Sequence, residues 1–209
     1  MWPLRASPTR TDDRMKGIVF NLLGDLVRRD FGDDAWDDLL DAARASGAYT
    51  SLGSYEDEEL HRLVGAASES LGRSPEDVLR WYGRGAMPML AKAYPHFFEA
   101  PGATRPFLMT LNHIIHPEVR KLYPGAQVPE FGFPDAAPGR LRMEYRSARR
   151  LCALAEGFIL GAADYFGETV AVAQAACMHR GDACCVFELV FVRGAGAPGA
   201  AHADAFAAA

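Results

Sequence analysis

Tyr145, Ser147 and Arg149 occupy alternate positions in a 209-residue chain and form its most chemically pointed group. In an extended segment alternate side chains share one face, so this spacing sets two hydroxyls and a guanidinium side by side. Such a group is a receptor for paired carboxylates, held through charge-assisted hydrogen bonds. A second feature lies upstream, Leu111-Asn112-His113-Ile114-Ile115-His116-Pro117, an apolar stretch carrying two imidazoles. An imidazole that ligates iron, together with a clamp for two propionates, is the equipment of a haem site. His113 and His116 lie about one helical turn apart on neighbouring faces, and spacing alone does not choose between them.

Sulfur is the third resource. Cys152, Cys177, Cys184 and Cys185 all fall in the last third of the chain. In a reducing compartment they read as thiols or metal ligands rather than as disulfides.

The elements that must position these groups fall into two halves. From Met15 to about Ala100 apolar residues recur at helical spacing, as in Val19, Leu22, Leu23, Leu26 and Val27, and again in Trp36, Leu39, Leu40 and Ala43. Ser54 before Asp57, and Ser74 before Pro75 and Asp77, predict helix starts by capping. A further helix is expected over Thr104–Tyr123, ending at Pro124-Gly125, with a kink or restart at Pro117, which lacks an amide hydrogen. Prolines and glycines then mark 124–140 as loop, with a short extended piece near Phe131–Phe133. Strands are expected at Leu141–Ser147, Glu168–Ala176 and Ala183–Val192, with a helix over Arg150–Tyr165. The last two strands form an antiparallel hairpin packed with the first, which gives an α+β chain. Residues 1–14 and the Ala/Gly-rich 193–209 lack a periodic apolar face and are expected to be disordered around a single domain over 15–192.

Composition narrows the function. At 49% apolar and 23% charged, the chain has enough interior to hide a cofactor. A net charge of −5 without a concentrated basic face argues against nucleic acid. Val186–Val192, among the longest apolar stretches, is interrupted by Glu188 and far too short to span a bilayer. Residues 1–14 carry no secretory apolar core, which points to the cytoplasm.

Met15-Lys16-Gly17-Ile18-Val19-Phe20, the segment from His116 into Leu122-Tyr123-Pro124-Gly125-Ala126, and the Tyr-x-Ser-x-Arg motif together resemble the H-NOX family of haem-based nitric oxide and oxygen sensors. The resemblance implies a helical distal subdomain over a proximal subdomain with an antiparallel sheet, and haem b buried between them. It makes His116 the proximal iron ligand, Tyr145, Ser147 and Arg149 the propionate clamp, and Pro129 the residue that presses on and distorts the porphyrin. It places Val19, Leu23 and Leu154 in the distal pocket. Oxygen-binding relatives carry a tyrosine where Leu154 stands, so the resemblance implies nitric oxide as ligand, carbon monoxide as a second one, and exclusion of oxygen. Ligand binding would then weaken the His116–iron bond and turn one layer against the other. The chain ends soon after the sheet, so the expected partner is a separate protein such as a histidine kinase or a cyclic-di-GMP enzyme.

Cys152, Cys177 and Cys185 match the positions of a structural zinc site in some bacterial relatives, but the expected histidine is Gln174 here. His179 or Cys184 could complete a tetrahedron; packing thiols and reversible oxidation are the other readings. An enzyme is disfavoured because no distal acid–base group is visible. The alternative outside haem chemistry is a binding module whose Arg149 grips the carboxylate of a fatty acid or other small molecule in an apolar cavity.

Overall fold

The computed structural model describes residues 14–135 and 137–193. The helical layer opens with a short strand, β1 (Arg14–Lys16), which runs directly into α1 (Gly17–Phe31). β1 pairs antiparallel with β2 (Ser54–Glu56), which runs in the same way into α3 (Asp57–Leu71). α2 (Asp33–Ala43) and α4 (Pro75–Ala93) complete this layer. Its core takes Phe20, Leu23 and Val27 from one stripe of α1, Trp36 from α2, Leu63 from α3 and Val78 from α4.

α4 starts where the capping signal placed it. Ser74 accepts the Asp77 N–H at 3.1 Å, its hydroxyl meets the Asp77 carboxylate at 2.7 Å, and Pro75 opens the helix. The parallel expectation at Ser54 is corrected, because Ser54 belongs to β2 and accepts from Lys16 Nζ at 2.8 Å, while α3 begins at Asp57 with three carboxylates in its first turn. The β1–β2 ribbon lay hidden in a region read as wholly helical, since a three-residue strand is too short to show a period.

The second layer contains α5 (His96–Glu99), α6 (Thr104–Met109), a π-helical turn (Leu111–Ile115) and α7 (His116–Leu122). β3 (Glu130–Asp135), β4 (Arg140–Arg146), α8 (Cys152–Tyr165), β5 (Glu168–Ala176) and β6 (Cys185–Arg193) follow. The strands form one antiparallel sheet in the order β3-β4-β6-β5. Arg14 and Arg193, read as parts of the terminal extensions, close β1 and β6. The remaining extension residues, 1–13 and 194–209, lie outside the described residues.

α8 joins the two layers. It is apolar on nearly every face and buried accordingly, with Leu151 and Leu154 contributing to the helical core and Cys152, Ala155 and Ile159 to the sheet core. α8 meets α4 backbone to backbone, because a Cβ at Gly83 would strike the Leu154 carbonyl, one at Gly157 the Arg80 carbonyl, and one at Gly161 the Arg84 carbonyl. Arg80–Glu156 at 2.9 Å and Arg84–Asp164 at 2.5 Å bridge the rims of this contact.

Candidate functional site

A cavity of about 330 Å³ is lined by residues of both layers and is almost wholly apolar. His116, Pro129, Tyr145, Ser147 and Arg149 all reach its lining, although their segments are spread over the second half of the chain.

His116 is placed by the broken helix before it. Pro117 offers no N–H to the His113 carbonyl, so the helix expected over Thr104–Tyr123, with its kink or restart at Pro117, does not run through unbroken. The chain widens into a π turn instead, in which Ile115 N–H donates to Thr110 at 3.2 Å and His116 N–H to Leu111. Asn112, on this turn, spans the backbone of Phe131, donating to its carbonyl and accepting its N–H at 3.2 Å. The turn is thereby fastened to the edge strand β3, and α7 starts at His116 with its ring on the cavity wall. Sequence reading missed Asn112, since a lone amide in an apolar run gives no periodic signal.

The His116 ring is buried, lies against Phe131 with centroids 5.6 Å apart, and has the Pro129 carbonyl beside it. Burial, helped by the nearby Arg120, pulls its pKa down to about 4 and outweighs the Pro129 carbonyl, which acts in the opposite sense. The ring is therefore neutral at neutral pH. An imidazole that donates through one nitrogen keeps a lone pair on the other, the form that ligates a metal. His113 is exposed and absent from the cavity wall, so the structure separates the two imidazoles that spacing left open.

On the opposite strand Tyr145 points inward with Leu141 and Met143, as alternation along β4 requires. Its hydroxyl lies near the Ser147 side chain and the Leu151 N–H, which lower its pKa, but burial outweighs them and pushes it up to about 12, so it stays protonated. Arg149 reaches the same cavity by a different route from the one expected. β4 ends at Arg146, and a turn closed by Arg150 N–H on the Ser147 carbonyl at 3.2 Å brings Arg149 round. Its guanidinium meets the Asp57 carboxylate at 2.7 Å, the Gln127 carbonyl at 2.9 Å and the Arg14 carbonyl at 2.7 Å. Asp57 is thus a site residue that the sequence presented only as a capping carboxylate, because nothing local links it to Arg149.

Val19 and Leu154 line the cavity. Leu23 does not, which corrects its expected place. It is 2% exposed within the helical core, and Ile18 and Leu22 flank Val19 instead, since the helix turns position 23 towards the stripe of Phe20 and Val27. Of the tyrosines that could offer a donor, Tyr82 lines the cavity but commits its proton to the Val19 carbonyl at 2.6 Å. Tyr94 and Tyr123 also line it and pair hydroxyl to hydroxyl. Tyr165 lies off the lining, against Phe98.

Cys152, Cys177 and Cys185 converge beneath α8, all buried, with Cys177 Sγ 3.8 Å from Cys152 and 3.9 Å from Cys185. Neither expected fourth ligand joins them: His179 Nε2 lies 2.7 Å from the Arg150 carbonyl, and Cys184 is half-exposed outside the group.

A neutral imidazole, two hydroxyls and a guanidinium on the walls of one apolar cavity are groups that a haem-binding α+β module can use. The residues present fit haem: the cavity lining is mostly apolar, and its polar side chains include a lone-pair donor and groups able to bind acids. Comparison with known proteins agrees. Residues 16–174 match the family described as Haem-NO-binding. The crystal structure of an H-NOX protein from S. oneidensis in the Fe(II)NO state shares 30% identity, covers 85% of this chain and 99% of its own, and superposes with a TM-score of 0.80. An NMR structure of an H-NOX domain from Shewanella oneidensis in the Fe(II)CO state gives 29%, 86%, 100% and 0.78. The unliganded Fe(II) H-NOX protein from K. algicida gives 25%, 88%, 100% and 0.77. This chain belongs to the Haem-NO-binding, or H-NOX, family of haem-based gas sensors.

Proposed function

We propose that this protein senses nitric oxide at a ferrous haem, takes carbon monoxide as a second ligand, turns oxygen away, and reports to a separate signalling protein. The observation that carries the reading is the composition of one cavity: His116 is neutral on its wall, while Val19 and Leu154 offer no hydrogen-bond donor. Haem b, when bound, supplies an iron that takes a diatomic gas as ligand. His116 would hold the iron through an unprotonated ring nitrogen. Tyr145, Ser147 and Arg149 would hold the propionates, and Pro129, also on the wall, would bear on the macrocycle. Bound oxygen gains from a donor that nitric oxide does not need, so a wall of Val19 and Leu154 favours nitric oxide. The solved relatives with NO and with CO at Fe(II) support gas ligands of this kind.

Were the imidazole to let go of a bound iron, the contacts of α7 would carry the change outward. α7 begins at His116 and is followed by Tyr123, whose hydroxyl meets that of Tyr94 at the end of α4. A shift of α7 is thus felt in α4, and through α4 in α8 and the helical layer. A histidine kinase or a cyclic-di-GMP enzyme is the class of partner that would read the change.

The test is the absorption spectrum of the reduced protein in air, and with and without nitric oxide, repeated on His116→Gly with added imidazole. The expected result is a haem spectrum that changes with nitric oxide, is indifferent to air, and depends on imidazole in the variant. A stable oxygen complex would overturn oxygen exclusion. Absence of haem after expression with ample haem supply would overturn the sensor and leave the carboxylate-binding module leading.

A further inference from the structure

The cysteine cluster departs from the zinc site that the family resemblance implies, and the departure points to a different ion. Cys152 opens α8, Cys177 follows β5, and Cys185 opens β6, so three elements deliver three sulfurs to one point in the core. Every sulfur is approached by an N–H group. Met178 N–H donates to the Cys185 sulfur at 3.3 Å, and the His179 N–H lies beside Cys177 in the tight turn that Gly181 closes at φ 95°, where Arg180 N–H donates to the Cys177 carbonyl at 2.8 Å. The Gln174 amide nitrogen is buried without a conventional hydrogen-bond partner and lies within reach of the Cys152 sulfur. A thiol is a poor acceptor and a metal-bound thiolate a good one, so metal binding would satisfy that nitrogen.

The separations of 3.8 and 3.9 Å suit three sulfurs around one ion with bonds of about 2.3 Å, and are far from the roughly 2.05 Å of a disulfide. Among the described residues the site lacks a fourth ligand. Structural zinc sites are closed by four protein ligands. Here Gln174 stands where the histidine would be, His179 is held on the Arg150 carbonyl, and Cys184 lies outside the group.

We propose that Cys152, Cys177 and Cys185 form a three-thiolate site for a thiophilic ion of low coordination number, Cu(I), rather than a structural zinc site. Soft sulfur ligands select Cu(I), which is content with three of them, whereas zinc would be left with an open position. Binding releases the thiol protons to solvent and transfers no electron. The inference is independent of haem and of the sensing reading.

The test uses the full chain, reduced and stripped of metal, titrated with Cu(I) against a coloured Cu(I) chelator and with Zn(II) against a coloured zinc chelator. The expected result is one Cu(I) retained per chain and zinc surrendered to its chelator. Cys177→Ser should lose the Cu(I). Because that variant could misfold, Gln174→His provides the second arm: restoring the fourth ligand should raise zinc retention by about tenfold or more. Zinc held one-to-one by the wild-type chain, failure to retain Cu(I), or unchanged zinc binding in Gln174→His would each overturn the proposal.

Discussion

The carbonyl of Pro129, the residue directly before β3, lies beside the His116 ring and acts on its protonation, so the proposed iron ligand and the proposed lever on the porphyrin are neighbours. The buried ring accepts a proton only near pH 4, whereas in the unfolded chain it does so near pH 6.5. The unfolded state therefore binds more protons between these values. Stability from this group is fully present above about pH 6.5 and is lost as pH falls towards 4, by at most about 3 kcal/mol. Denaturant midpoints of the haem-free chain should fall across that window, and His116→Phe should flatten the slope. Identical slopes in the two proteins would contradict the assignment.

Arg149 and Asp57 are both largely buried, with side chains 11% and 13% exposed. Arg149→Ala strands the carboxylate and should cost about 3 kcal/mol, seen as a lower unfolding midpoint. Adding Asp57→Asn should recover part of that loss. Arg149→Lys keeps the charge but not the fork, and should speed haem transfer to an acceptor apoprotein. Transfer at the wild-type rate would remove Arg149 from the clamp.

Leu154→Tyr puts a hydroxyl on a wall that otherwise offers apolar groups at Val19 and Leu154. A stable oxygen complex should then appear in air, measured by absorption, with nitric oxide binding retained. If the variant stays indifferent to oxygen, Leu154 is not what excludes it.

Much of this site was legible because its signals are local. Alternation along β4 delivered Tyr145, and the absent amide of Pro117 foretold the break before α7. β4, β5 and β6 lay close to their expected bounds, since each is long enough to show its pattern, whereas β3 was expected only as a short extended piece within a loop. What escaped depends on distance along the chain or on rotation. Asp57 meets Arg149 only through the tertiary fold, Arg149 arrives by a turn rather than by strand alternation, and Leu23 differs from Leu22 by a rotation of about 100°. The β1–β2 ribbon escaped through its brevity.

Gly157→Ala would press a methyl group into the Arg80 carbonyl where α4 and α8 touch. The gain in helix propensity is about 1 kcal/mol, and the clash has only backbone to displace. A net loss of about 1–3 kcal/mol is expected, read as a lower thermal midpoint. A stabilised variant would show that the two helices separate at little cost.

The contacts of Arg149 also bear on the order in which the protein assembles. Its guanidinium ends on Arg14, 135 positions away in the chain, and on Asp57 at the start of α3. Contacts that close such long loops carry an entropic cost before they return any stability, so they form late. The hairpins of the sheet and the helical layer can be in place while this corner is still open. Arg149 also lines the cavity, so that part of its wall is complete only once these distant segments have met.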